Sequence, residues 1–234
     1  MTRPVLLVTG ASSGIGAATA RAAADRGWRL VLVARTGPAL EALAAELGGR
    51  DVAVSAPCDV GDWDQVRVLP EVAVAAFGRL DAVFANAAAV VATSFRHGTG
   101  TPEQWRELVL TNVYGTAITV RATLPALIAA RGHLLLTGSV AGQVTVPGQL
   151  YSVTKWAVTA LARSLRAELV TTGVRTTLIA PGLTDSGVVS PDRAADPMLR
   201  PDDVARAVLY ALDQPPEVDV NEIVIRPTGQ DQHR

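Results

Sequence analysis

The chain has 234 residues, room for one α/β domain or two small ones, and its 49% hydrophobic against 18% charged residues exclude a disordered chain and allow a large core. Its 21 basic and 22 acidic residues are spread along the chain for a formal net charge of −1, so no nucleic acid and no anionic membrane is expected as partner. A lone cysteine, Cys58, excludes an intrachain disulfide; no signal peptide and no stretch of transmembrane length is read, so the cytoplasm is the expected setting.

The first apolar run, residues 5–8 of a strand expected over 5–9, leads directly into Thr9-Gly10-Ala11-Ser12-Ser13-Gly14-Ile15-Gly16 and a helix over 15–26. Gly10 suits the tight turn, Gly14 a close backbone approach to a pyrophosphate, and Gly16 close helix–strand packing, while the helix N-terminus offers N–H groups to phosphates. Taken alone, the same glycines would also serve an ordinary strand-to-helix turn. Further strands are expected over 30–34, 52–56, 82–85, 133–137, 175–179 and 222–226, alternating with helices over 38–47, 62–77, 102–130, 151–171 and 201–213. Proline with flanking acids marks two of the helix starts, at Thr101-Pro102-Glu103 and Arg200-Pro201-Asp202. The strands lack polar alternation and no repeat or linker interrupts the pattern. The expected fold is one Rossmann-type domain over 1–234, a doubly wound parallel sheet of about seven strands with helices on both faces.

The residues that could carry chemistry fall at the ends of these strands. Asn86-Ala87 follows the fourth strand, Asn112 lies in the long helix after it, and Ser139 follows the fifth strand. Tyr151 and Lys155 stand four apart, so on a helix they share a face. A phenol with a pKa of about 10 is a poor base at neutral pH, and an ammonium one turn away favours the phenolate. Such a tyrosine donates a proton to a carbonyl oxygen or accepts one from an alcohol, with the Ser139 hydroxyl bonding the same oxygen. In isolation, a Tyr–Lys pair of this spacing is far more often a solvent-facing feature, and Ser139 or Asn112 alone a turn or cap residue. The three histidines, His97, His133 and His233, show no ligand spacing, and no metal is expected; Cys58 reads as a small buried filler.

In order along the chain, TGxxxGxG at residues 9–16, Asn86-Ala87, Thr111-Asn112-Val113, Ser139, Tyr151-Ser152-Val153-Thr154-Lys155 and Pro181-Gly182 resemble the motifs of the short-chain dehydrogenases/reductases. Ala85 and Ala88 depart from that family's NNAG, and the Ser139–Tyr151 gap is about one residue short of it. The resemblance implies catalytic roles for Asn112, Ser139, Tyr151 and Lys155, with Asn112 holding a water that relays protons from Lys155. It implies dinucleotide contacts at Gly10, Ser12, Ser13, Gly14, Ile15, Gly16, Asn86, Ala87, Tyr151, Lys155, Pro181, Gly182 and Thr184. It also places Asp59 and Val60 at the adenine. The second strand ends Val33-Ala34-Arg35-Thr36 without the acid of NAD-preferring relatives, and Arg35 can bind a 2′-phosphate, so the expected cofactor is NADP(H); the other reading of Arg35 is a surface arginine paired with Glu41 or a similar acid.

The expected activity is therefore hydride transfer between NADP(H) and a small-molecule carbonyl or secondary alcohol. A dinucleotide-binding regulatory protein without chemistry is the alternative; a nucleotide-sugar epimerase would need a further substrate region that this length does not hold. The segment 183–200, with Thr184, Asp185, Ser186, Asp192, Arg193 and Asp196 and only Val188, Val189, Met198 and Leu199 as large apolar residues, suggests a short lid over a small substrate. The tail over 220–228 resembles the last strand of relatives that oxidise small 3-hydroxy acids and serine, and Arg193 or Arg200 could meet a substrate carboxylate. The family's helix pairing implies a homo-oligomer, a tetramer or dimer, with Ala157, Ala160, Leu161 and Leu165 on the helix concerned.

Overall fold

Strand runs that are apolar at consecutive positions can be satisfied only if both faces of the sheet are covered. In the computed structural model, which describes residues 3–187, 193 and 195–230, that is what happens. Strands β1 (Val5–Thr9), β2 (Arg29–Ala34), β3 (Ala53–Pro57), β4 (Ala82–Ala85), β5 (His133–Thr137), β6 (Arg175–Pro181) and β7 (Glu222–Ile225) form one parallel sheet. Their order is β3-β2-β1-β4-β5-β6-β7. Leu6, Val8, Phe84 and Leu135 point to one face with α1 (Gly14–Asp25), α2 (Gly37–Glu46) and α8 (Pro201–Leu212). Val5, Leu7, Val83 and Leu134 point to the other, where α4 (Leu69–Phe77), α6 (Thr116–Ala130) and α7 (Leu150–Leu169) pack. Val188, Val189 and Asp192 of the expected lid and His233 lie outside the described residues.

One expected helix is divided and another is continuous but irregular. Residues 62–77 form α3 (Trp63–Val66) and α4. Asp62 caps α3 by accepting from the Asp64 and Gln65 N–H groups, and Pro70, lacking an N–H, sits in the first turn of a new helix. Residues 102–130 form α5 (Pro102–Val109), a wider π-type turn over Leu110–Gly115, and α6, one stretch long and apolar enough to cross a membrane. This corrects the expectation that no stretch has that length. Its Ile118, Val120 and Leu127 belong to the sheet's core. The start of α5 carries a reciprocal cap: Thr101 Oγ1 accepts from Gln104 N–H, and Gln104 Oε1 accepts from Thr101 N–H. At α8 it is Asp203 that accepts from the Arg200 N–H, at 2.7 Å.

The sheet's winding reverses between β1 and β4: from β1 the chain steps outward through β2 and β3, then returns to β4 on the other side. In an open parallel sheet the loops at that point diverge and leave a crevice at the carboxyl ends of the strands.

Candidate active site

The crevice is a groove of about 320 Å³ that runs from Arg35 and Asp59, beyond β2 and β3, to Tyr151 and Lys155 beside β5. Its floor is the glycine turn. Gly10 (φ +68°) and Gly14 (φ +52°) hold left-handed backbone, and a Cβ on Gly16 would lie 2.2 Å from the Gly10 carbonyl oxygen. Ser13, at the N-cap of α1, makes no side-chain cap bond; with Ser12, Gly14 and Ile15 it lines the groove, so an anionic group there meets the positive end of α1.

Threonine and asparagine side chains lock the strand ends around this floor. Thr9 Oγ1 accepts from the N–H groups of Asn86 and Ala87, each at 2.9 Å, and Asn86 Nδ2 donates to the Thr9 carbonyl at 3.0 Å. The Thr137 hydroxyl donates to Asn86 Oδ1 at 3.0 Å, which draws in β5. Asn112, buried in the π turn, grips the loop after β4: its Oδ1 accepts from Ala89 N–H at 2.7 Å, and its Nδ2 donates to the Ala89 carbonyl and to Thr154 Oγ1. The Asn112 carbonyl accepts from the Thr116 hydroxyl at 2.8 Å.

At the β5 end, Lys155 is 2% exposed and donates to the Thr137 carbonyl at 2.8 Å. Burial pushes its ammonium down to about 8. Burial pushes the Tyr151 phenol up to about 12, opposed by a hydrogen bond with Ser139. The ammonium lies 5.6 Å from the tyrosine ring centre. Ser139 Oγ also accepts from Ala141 N–H at 3.1 Å, which holds the hydroxyl at the head of the following turn. Tyr151, Lys155 and Ser139 thus converge where a proton could be given to, or taken from, an oxygen beside the groove.

The other end is looser. Asp59 Oδ1 accepts from Gly61 N–H at 2.8 Å and its own N–H donates to Gln65 Oε1, leaving its second carboxylate oxygen for a donor in the groove. Val60 and Cys58 are buried, and burial, followed by the charges of Asp59 and Asp62, pushes the thiol up to about 11. Arg35 lines the groove and pairs at 2.8 Å with Glu107 of α5, an acid the sequence reading did not connect to it.

Gly16, Asn112, Pro181, Gly182 and Thr184 stand behind the lining. The Gly182 N–H donates to the Ile225 carbonyl, and the Thr184 hydroxyl to the Gly182 carbonyl at 3.0 Å; the segment then brings Ser186 over Gly14 and into the groove. Sequence reasoning missed Thr9, Thr137, Ala89, Thr111 and the groove role of Ser186; a threonine closing a strand beside a glycine turn was the available signal for the first two. Arg193 and Arg200, considered for a substrate carboxylate, pair with Asp196 and Asp203. On α7, Leu165 is buried in the core, and the outward face carries Val153, Trp156 and Ala160.

The short chain dehydrogenase family matches residues 4–197. An uncharacterised oxidoreductase of Staphylococcus aureus (strain MW2) is 37% identical over 230 residues, covering 97% of this chain and 98% of its own. Among solved structures, an alcohol dehydrogenase from the archaeon Thermococcus sibiricus, complexed with 5-hydroxy-NADP, is 31% identical with a TM-score of 0.89 and 98% of each chain covered. A metagenomic short-chain oxidoreductase in complex with NADP is 34% identical, with a TM-score of 0.82, covering 98% of this chain and 99% of that one.

Proposed function

We propose, from the premise that the chain belongs to the short-chain dehydrogenase family, that this oxidoreductase uses NADP(H) to interconvert a small-molecule carbonyl and its secondary alcohol. The residues present fit a nicotinamide dinucleotide. Three glycines leave the turn open to a close approach, the N-terminal end of α1 would receive the phosphates, and Asp59 keeps an acceptor at the β3 end. When bound, the cofactor supplies or takes up the hydride. Arg35 supports the phosphorylated form, since no carboxylate follows β2 to accept a ribose hydroxyl, and two of the similar structures carry NADP or its derivative.

The chain's own part is proton handling and placement. A phenol held near 12 is protonated at neutral pH, so Tyr151 is ready to donate to a carbonyl oxygen, and in the reverse direction it accepts the alcohol proton. Ser139 donates to the same oxygen as negative charge grows on it. Lys155, held by Thr137, stabilises the phenolate left behind and would bond the ribose hydroxyls of a bound cofactor. Asn112 fixes the wall at Ala89; its carbonyl is our candidate for the relay water. Pro181, Gly182 and Thr184, behind the lining, lead the chain to Ser186 and would back the nicotinamide end, and one domain would provide both cofactor and substrate contacts.

The observation that carries the reading is the convergence of Tyr151, Lys155 and Ser139 at one end of a groove floored by a glycine turn. A panel of small ketones, hydroxy acids and bulky carbonyls, followed at the nicotinamide absorbance with NADPH and NADH in parallel, tests it. Turnover of small substrates with NADPH is expected. Cofactor binding without turnover of any member would turn the reading toward a regulatory dinucleotide-binding protein. We further propose a homo-oligomer paired through the exposed Val109, Tyr114, Val153 and Trp156, for which light scattering should give a multiple of the 24.4 kDa chain mass. Cys58, buried and protonated, suits the reducing cytoplasm where we place the protein.

A further inference from the structure

Tyr151 is the second residue of α7, so the position of its phenol depends on how that helix begins. A helix start leaves N–H groups without intrahelical acceptors, and the residue before it commonly supplies a side-chain oxygen. Gln149 occupies that place and makes no such bond. The acceptor comes from a distant loop instead: Leu150 N–H donates to Thr93 Oγ1 at 2.7 Å, and the same hydroxyl donates to the Gly148 carbonyl at 3.0 Å. Gly148 holds φ +73° and abuts Ser94, so the turn before α7 and the loop after β4 touch as well as bond.

We propose that Thr93 is a positioning residue for the reaction, capping α7 from outside and so setting Tyr151 against Ser139. The inference rests on the catalytic assignment of Tyr151 made above. Other bonds tie α7 to the turn that follows Ser139: Ser152 donates to the Ala141 carbonyl at 2.6 Å, Trp156 to Val144 and Thr159 to Gly142. Those contacts hold the helix to the serine's side of the site. Thr93 holds its first turn to the opposite wall, where Asn112 already anchors Ala89 and where Ala88, Ala89 and Val90 line the groove. Losing it would release the turn that carries the phenol from that wall, leaving it held on the serine's side by Ser152, while Lys155, a turn deeper and bonded to Thr137, stays in place.

Thr93→Val removes the hydroxyl and keeps the shape. Turnover should fall by about tenfold, since small misplacements of a reacting group are costly, with the Kd for NADPH changed by less than about twofold. In the cofactor-free protein, amide exchange at Leu150 and Tyr151 should quicken by about fivefold, the measure of a lost cap. Thr93→Ser should restore both, and Gln149→Ser, which gives the helix a local cap, should recover turnover in the Thr93→Val background. Unchanged turnover in Thr93→Val, equal losses in the valine and serine variants, or a double variant no better than Thr93→Val would each overturn the proposal. If Thr93→Val proves unfolded by circular dichroism, the double variant decides: folded and active supports a capping role, inactive refutes it. Tyr151→Phe measured alongside separates the two claims. Near-normal turnover there removes the catalytic assignment, whereas its loss beside an unimpaired Thr93→Val removes only the cap.

Discussion

Lys155 and Arg35 both bring a positive charge to the same groove, but Lys155 is 2% exposed while the Arg35 side chain is 67% exposed. Lys155 donates to a backbone carbonyl at the end of β5, and burial moves its pKa, with no anion among the described residues opposing it. Arg35 meets a carboxylate, Glu107, whose side chain is itself 51% exposed, and water screens both. A charge inside a low-dielectric wall exerts a strong, fixed field; an exposed pair can be exchanged for another anion at little cost. The groove therefore joins a rigid end suited to chemistry with a soft end suited to choosing a cofactor.

The largest effect should come from the rigid end. Tyr151→Phe should lower turnover by about 10²–10⁴ while leaving the Kd for NADPH close to that of the parent, measured by nicotinamide fluorescence. Retention of turnover would break the comparison at its root. The second test is a pH profile. An ammonium lowered to about 8 is charged below that pH and neutral above it, whereas a phenol near 12 stays protonated throughout. In the reductive direction kcat/KM should be level through neutral pH and fall by about tenfold per pH unit above 8, and Lys155→Met should abolish the inflection along with most of the activity. An inflection near 12 alone would assign the control to the tyrosine.

The soft end should give smaller numbers. Arg35→Asp should reverse the preference between NADPH and NADH by at least about tenfold, read from the ratio of the two kcat/KM values, because a carboxylate repels the 2′-phosphate. Raising salt should weaken NADPH binding in the parent and not in this variant. The smallest change is expected for Glu107→Gln. Releasing Arg35 from an exposed pair worth less than about 1 kcal/mol should tighten NADPH by up to about fivefold and leave NADH unchanged. Equal tightening of both cofactors would mean that Glu107 acts on something other than the Arg35 pair.

The strands, the sheet's parallel character and the glycine turn were all legible in the chain, because each is written in neighbouring residues. Apolar side chains at consecutive positions 5–8 and 30–34 demand a sheet covered on both faces, and Gly10, Gly14 and Gly16 mark a turn that side chains would block. The four-residue spacing of Tyr151 and Lys155 placed them on one side of a helix before the helix was seen. Local signals also misled. The periodic stretch over 62–77 read as a single helix, yet Pro70 restarts it; the one over 102–130 is a single helix as read, but it widens around the buried Asn112. In the second case the competing interaction is the Asn112 grip on Ala89, 23 residues away, which no local period encodes.

What the sequence alone determined is thus the kind of sheet, the position of the glycine turn and the identity of the groups at the strand ends. Tertiary structure decided which of them work together and in what state. Lys155 has a lowered pKa because α7 lies against β5 and excludes water, and Arg35 faces Glu107 because the fold brings a residue of α5, 72 positions later in the chain, to the end of β2. Thr93 reaches Leu150 only because two loops fold over one groove. Backbone preferences and hydrophobic periodicity act over a few residues and survive in a linear reading. Desolvation, ion pairing and remote capping depend on distances between segments that the chain brings together only when its core is packed.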